Sequence, residues 1–200
     1  YPAVELTIRE RPTDAILTEI SANRMDAAIL ATPLGEPSLT EQVLFYDPFY
    51  LYAHSDETLL ERDSVRVSDI DSSKLWLLED GHCFRAQVIN LCGIHDRSVL
   101  GSVRFAGGGF ETLRHLIDAC GGYTLVPETY ARTLTRSARQ RLVRPFDKRI
   151  PTREISLVHH RRCWKVEILD AVTDLVVAEM PRCFDREPAD DEVLPIRVQG

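Results

Sequence analysis

No apolar run in the 200-residue chain approaches the ~20 residues needed to cross a bilayer, and no charged-then-apolar signal segment opens it. The expectation is a soluble, cytoplasmic protein with no membrane partner. Basic charge is in short supply: 24 Lys and Arg face 31 Asp and Glu, for a net charge of -7. That balance argues against a surface that grips phosphate backbones. A dense, even cysteine set is also missing. The five cysteines, Cys83, Cys92, Cys120, Cys163 and Cys183, are too few and of the wrong parity for a disulfide-stapled secreted scaffold. There is no C-x-x-C redox motif and no internal repeat. What remains is an ordinary globular composition, 44% apolar and 28% charged, long enough for one domain or two small lobes sharing a core.

Periodicity predicts strands at Val4–Arg9, Ala27–Ala31, Val43–Phe45, Phe49–Ala53, Leu75–Leu78, Val103–Phe105, Tyr123–Val126 and Ile155–His159. Helices are predicted at Thr13–Asn23, with Thr13 or Asp14 as cap, and at Phe84–Leu91, Phe110–Ala119 and Lys165–Glu179. Asp47–Pro48 reads as a turn between two strands, and Gly93 is placed to stop the second helix. After Met180 the chain turns acidic and proline-bearing, which predicts a mobile tail. Strands alternating with helices argue for an α/β fold built on an open, mostly parallel sheet, with ligands at the carboxyl ends of its strands.

The stretch LLEDGHCFRAQVINLCG, residues 77–93, runs from a buried strand through a polar turn into a helix. Cys83 then falls in the first helical turn, where unpaired N–H groups and the helix dipole favour an anion. Such a place lowers a thiol's pKa, and a protonated His82 would add to the effect. Cys92 lies nine residues on, about 13.5 Å away along a helix, whereas a disulfide needs Cα atoms within about 7 Å. A bond between the two would have to unwind the helix, giving one covalent event and two incompatible backbones. Spacing alone leaves two other readings open. Both cysteines fit as small buried apolar residues. His82, Cys83, Cys92 and His95 also supply four zinc donors, though not at a compact zinc spacing. The triple glycine 107–109 reads as a flexible turn, because nucleotide fingerprints are spaced differently.

The run L-E-D-G-H-C followed by a second cysteine resembles the sensing segment of the peroxide-responsive OxyR branch of the LysR-type transcriptional regulators. YPAVELTIRERPT is similar to that family's second strand and following turn, LFYDPFYLYAHSD to its crossover between lobes, and FETLRHLIDACGGYTLVP to its helix–glycine–strand unit. The likeness extends from Tyr1 to about Glu179. It implies two Rossmann-like lobes of periplasmic-binding-protein type joined by crossover strands, one from residues 1–46 with 157–200 and one from 47–156. It implies that Cys83 is the peroxidatic thiol and Cys92 the resolving thiol. Thr13 matches a peroxide-binding threonine, and Arg153 an arginine that stabilises the thiolate. His82 matches the histidine beside the peroxidatic cysteine. Relatives carry His-Phe where this chain has Arg104-Phe105, so Arg104 is a departure near the pocket.

The resemblance implies a regulatory domain that is not an enzyme and needs no cofactor or metal. Its partners would be hydrogen peroxide, further copies in a homodimer or tetramer, and a thiol reductant such as glutaredoxin. Promoter DNA and RNA polymerase would be met through the full-length protein. The family's winged helix-turn-helix, linker helix and first strand and helix of the effector domain are expected to lie outside this chain. The alternative is an effector domain that binds a small molecule between its lobes and uses its cysteines only for packing.

Overall fold

A computed structural model describes residues 4–78, 83–93, 109–184, 187–189 and 192–194. Helix α1 spans Thr13–Ser21 and leads to strand β1, Ala27–Thr32, and the long strand β2, Leu39–Ala53. Three short 3₁₀ turns between Thr58 and Lys74 precede helix α2, Cys83–Leu91. Helix α3, Phe110–Cys120, and strand β3, Tyr123–Pro127, follow. Helices α4, Glu128–Ala131, and α5, Arg136–Leu142, then lead into strands β4, Val143–Pro145, and β5, Thr152–His160. Helix α6, Val166–Glu179, comes next, and a last 3₁₀ turn covers Arg182–Phe184. Among the described residues no helix is long and apolar enough to cross a membrane.

The α/β class holds, but among the described residues the sheet is not mostly parallel. Among the described residues every strand ladder is antiparallel, in the order β1-β5-β2-β3 with β4 also on β2. Parallel contacts are confined to isolated bridges such as Leu75↔Tyr123 and Thr152↔Val193. Periodicity identifies strands but not their partners, and here the two longest strands, β2 and β5, run against each other and organise the rest. Of the segments expected to be strands, Leu75–Leu78 has its three leucines buried yet makes just that one bridge among the described residues. Val4–Arg9 forms no strand. Its Leu6 and Ile8 are 72% and 85% exposed, because alternation without a neighbouring strand leaves the ladder groups nothing to bond. The strand expected at Val103–Phe105 lies outside the described residues.

Strand β2 corrects the expected turn at Asp47–Pro48. It runs unbroken from β5, which it pairs from Leu39 to Pro48, to β3, which it pairs from Phe49 to Ala53. Pro48 sits opposite Thr152, whose N–H donates to Glu192 O at 2.9 Å and whose carbonyl accepts from Leu194 N at 2.8 Å. Thr152 spends its backbone groups on the other side, so no N–H is asked of Pro48. At α1, Pro12 rather than Thr13 or Asp14 holds the cap position, and no side chain caps the helix. Pro12 carries φ -58 and has no N–H to leave unpaired.

The larger apolar core joins Phe49, Leu51, Val65, Phe84, Val88, Leu113, Ile117 and Leu125 around α2, α3 and β3. A smaller one joins Ile20, Leu30, Leu39 and Val158 beneath β1 and α1. The acidic tail is not wholly free of the fold. Phe184 is buried edge-on against Phe45 at 5.4 Å, and Leu194 is buried in the larger core. Composition masks two apolar anchors within a polar stretch.

Candidate functional site

Helix α2 has one candidate cysteine at its start and the other just past its end. It begins at Cys83, one residue before the expected start at Phe84, and Cys92 N–H still donates to Val88 O at 3.0 Å beyond its last residue. Gly93 then takes φ +62, a left-handed turn that favours glycine and ends the helix. Phe84, the residue after Cys83, anchors the start of the helix. Its ring centroid lies 4.8 Å from Phe49 and 5.0 Å from Phe110, the latter edge-on. The side chain of Cys83, and residues His82 and Arg104, lie outside what the structure describes.

Arg153 comes to this end of α2 from β5. Its guanidinium carbon stands 5.6 Å from the Phe84 ring centroid, a cation–π distance. Two of its nitrogens hold Asp47 Oδ2, Nη2 at 2.8 Å and Nε at 3.1 Å. Asp47 is fully buried on β2 and accepts two more bonds, from Thr129 N–H at 3.0 Å and from the Thr129 hydroxyl at 2.7 Å. A buried carboxylate with this many donors is well satisfied and fixes the arginine's position. The structure thus brings Arg153 to the first turn of α2. It does not bond Thr13 into the cluster: Thr13 is buried at the start of α1, and its hydroxyl makes no hydrogen bond among the described residues.

The far end of α2 is a different environment. Cys92 packs against the larger apolar core, and burial pushes its thiol up to about 11. Along the middle of the helix, Gln87 is fully buried and donates from Nε2 to Leu194 O at 2.9 Å. Of the remaining cysteines, Cys120 is exposed and Cys163 is half-buried, each as a free thiol. Among the described residues no group of three or more His, Cys, Asp or Glu is arranged to hold a metal.

Asp47, Thr129 and Gln87 were not singled out from the sequence. The partners of Asp47 and Gln87 stand 106 and 107 residues away, so no local pattern could reveal them. The one hint lay in a carboxylate placed just before a proline in a strand-like segment.

The LysR substrate binding domain family matches the chain over residues 1–181. OxyR of Escherichia coli K12, described as a DNA-binding transcriptional dual regulator, is 28% identical over 93% of this chain and 60% of its own length. The hydrogen peroxide-inducible genes activator of Dickeya chrysanthemi is 32% identical over 64% of this chain and 41% of its own. The chain therefore spans about half the length of these relatives, whose names describe regulators of genes rather than enzymes. Among solved structures, OxyR from Porphyromonas gingivalis superposes with a TM-score of 0.82 at 25% identity, covering 98% of this chain and 87% of that one. A reduced form of OxyR gives a TM-score of 0.75 at 28% identity, covering 92% and 85%. The relatives and structures it resembles carry the names OxyR or hydrogen peroxide-inducible genes activator, and the chain belongs to the LysR substrate-binding-domain family.

Proposed function

We propose that the chain is the redox-sensing regulatory domain of a hydrogen-peroxide-responsive transcriptional regulator, with Cys83 as the reacting thiol and Cys92 as its resolving partner. The observation that carries this reading is helix α2 itself, a regular nine-residue helix with one cysteine at its start and one just past its end. At ~1.5 Å of rise per residue the two Cα atoms cannot approach to disulfide distance while the helix stands. Joining them requires a second backbone arrangement, which is what a switch needs.

The chemistry balances with peroxide alone as oxidant. The Cys83 thiolate attacks one peroxide oxygen, the O–O bond breaks, and the departing hydroxide takes a proton to leave as water. The Cys92 thiolate then attacks the sulfenic sulfur, the S–O bond breaks, and a second water leaves. Peroxide gains two electrons and two thiols lose them. The first turn of α2 favours the Cys83 anion, and Arg153, fixed by Asp47 and Thr129, adds a cation beside that turn. Thr13, His82 and Arg104 are assigned supporting roles in binding peroxide and stabilising the thiolate. Cys92, held neutral by burial, stays inert until α2 opens.

In the whole regulator the domain would work in the cytoplasm as a homodimer or tetramer, with residues 1–46 and 157–200 in one lobe and 47–156 in the other. Remodelling of α2 would shift the interface between copies and thereby act on promoter DNA and RNA polymerase. A thiol reductant such as glutaredoxin would reset it. The test is peptide mass spectrometry on the reduced protein after one equivalent of hydrogen peroxide. A Cys83–Cys92 disulfide is expected. Free Cys83 and Cys92 alongside oxidised Cys120 or Cys163 would sink the reading.

A further inference from the structure

Residues 192–194 cross from the tail onto the one helix that the proposed switch must unwind. Three backbone bonds and two polar side chains, those of Glu192 and Gln87, seat them. Thr152 N–H donates to Glu192 O at 2.9 Å, and Leu194 N–H donates to Thr152 O at 2.8 Å, so Val193 bridges Thr152 in parallel. Glu192 is itself buried. Its carboxylate accepts from Ile150 N–H at 3.0 Å and from Ala189 N–H at 3.1 Å. The third backbone bond closes the turn, from Glu192 N–H to Ala189 O at 2.9 Å. On the opposite side, Gln87 Nε2 donates to Leu194 O at 2.9 Å. The Leu194 side chain packs in the cluster that holds Phe84 and Val88, the inward residues of α2.

Gln87 is the fifth of the nine residues of α2. It is fully buried, and its Oε1 has no hydrogen-bond partner among the described residues. A buried amide with an unpaired oxygen is destabilising compared with a methionine or leucine of similar size. Packing therefore does not explain the residue. The bond from its nitrogen to the tail is what an apolar side chain would not provide.

We propose that residues 192–194 form a redox-released strap: they are docked between α2 and β5 while α2 is helical, and a Cys83–Cys92 disulfide frees them. This rests on the sensor reading above. The disulfide forms by the same two steps, with peroxide reduced to two waters. Bringing the Cα atoms at either end of α2 from about 13.5 Å to within 7 Å must rearrange the turn around Gln87. Phe84, Gln87 and Val88 then leave together, and Leu194 loses its donor and its apolar seat in one event. The strap is also bonded to Thr152, the neighbour of Arg153, so it touches both the helix and the strand that converge at the proposed thiol site.

The test is site-resolved hydrogen exchange at the Leu194 amide in the 200-residue protein, reduced and after one equivalent of hydrogen peroxide, with disulfides mapped on the same samples. Oxidation is expected to speed exchange at Leu194 at least about tenfold, with no change in peroxide-treated Cys92→Ser. In the reduced state, Gln87→Met is expected to speed the same amide without lowering overall stability. A mapped Cys83–Cys92 disulfide with Leu194 still protected would overturn the strap and leave the sensor standing. Absence of that disulfide would overturn both. Unchanged Leu194 exchange in Gln87→Met would show that the side chain does not couple helix to tail, and would also overturn it.

Discussion

The two ends of helix α2 lie in opposite environments. Its first turn, at the positive end of the helix dipole, stands beside Arg153, a cation pinned by the buried Asp47 and by Thr129. Its last turn runs into an apolar core that raises the Cys92 thiol to about 11. One end would favour a negative charge, and the other disfavours one. The contrast teaches how two chemically identical thiols on one short helix can be given an order of reaction. In the proposed sensor, dipole and arginine would favour the first as nucleophile, and burial would hold back the second until the helix gave way.

The largest expected effect comes from dismantling the charged end. Asp47→Ala leaves Arg153 without its carboxylate and strands the Thr129 donors, and should lower stability by about 3 kcal/mol. Urea unfolding measures it, and a loss below about 1 kcal/mol would mean that the pair is a weak surface-like bridge. Next comes the reactivity of the apolar end. With its pKa raised from 9.0 to about 11, Cys92 in the reduced folded chain should alkylate about 100-fold more slowly at neutral pH than in the urea-unfolded chain. Equal rates would remove the ordering.

The same shift has a signature in stability against pH. The folded chain holds the Cys92 proton more tightly than the unfolded chain, so the associated stability is full below the unfolded value near 9 and is lost as pH rises through about 11. Tyr123 and Tyr130, both pushed up to about 12 chiefly by burial, extend the decline in the same direction. A Cys92→Val variant should show a shallower fall between pH 9 and 11, and an identical fall would assign it to the tyrosines. The smallest expected effect is at the helix stop. Gly93 holds φ +62, and Gly93→Ala should cost about 1 kcal/mol in thermal or urea unfolding.

Much of this asymmetry was legible in the sequence, and part was not. The extent of α2, its glycine stop and the nine-residue interval between cysteines all follow from periodicity and turn chemistry. So do α3, β3, β5 and α6, within a residue or a few at each end. Strand β2 was misread because Pro48 looks like a breaker until Thr152 is seen to bond elsewhere. The docking of Leu194 was hidden by the acidic residues and prolines around it. Arg153 was named through a family likeness, and its anchor Asp47 was not named at all. Salt bridges between strands remote in sequence leave no periodic trace, whereas an amphipathic face does.

The most direct test of the account titrates both thiols in one reduced sample, by measuring the alkylation rates of Cys83 and Cys92 at each pH with peptide-level mass spectrometry. Cys83 is expected to react with a midpoint well below the ordinary ~8.5 of a free thiol, and Cys92 to stay silent until the pH nears 11. A Cys83 midpoint near ~8.5, or two thiols that titrate together, would contradict it.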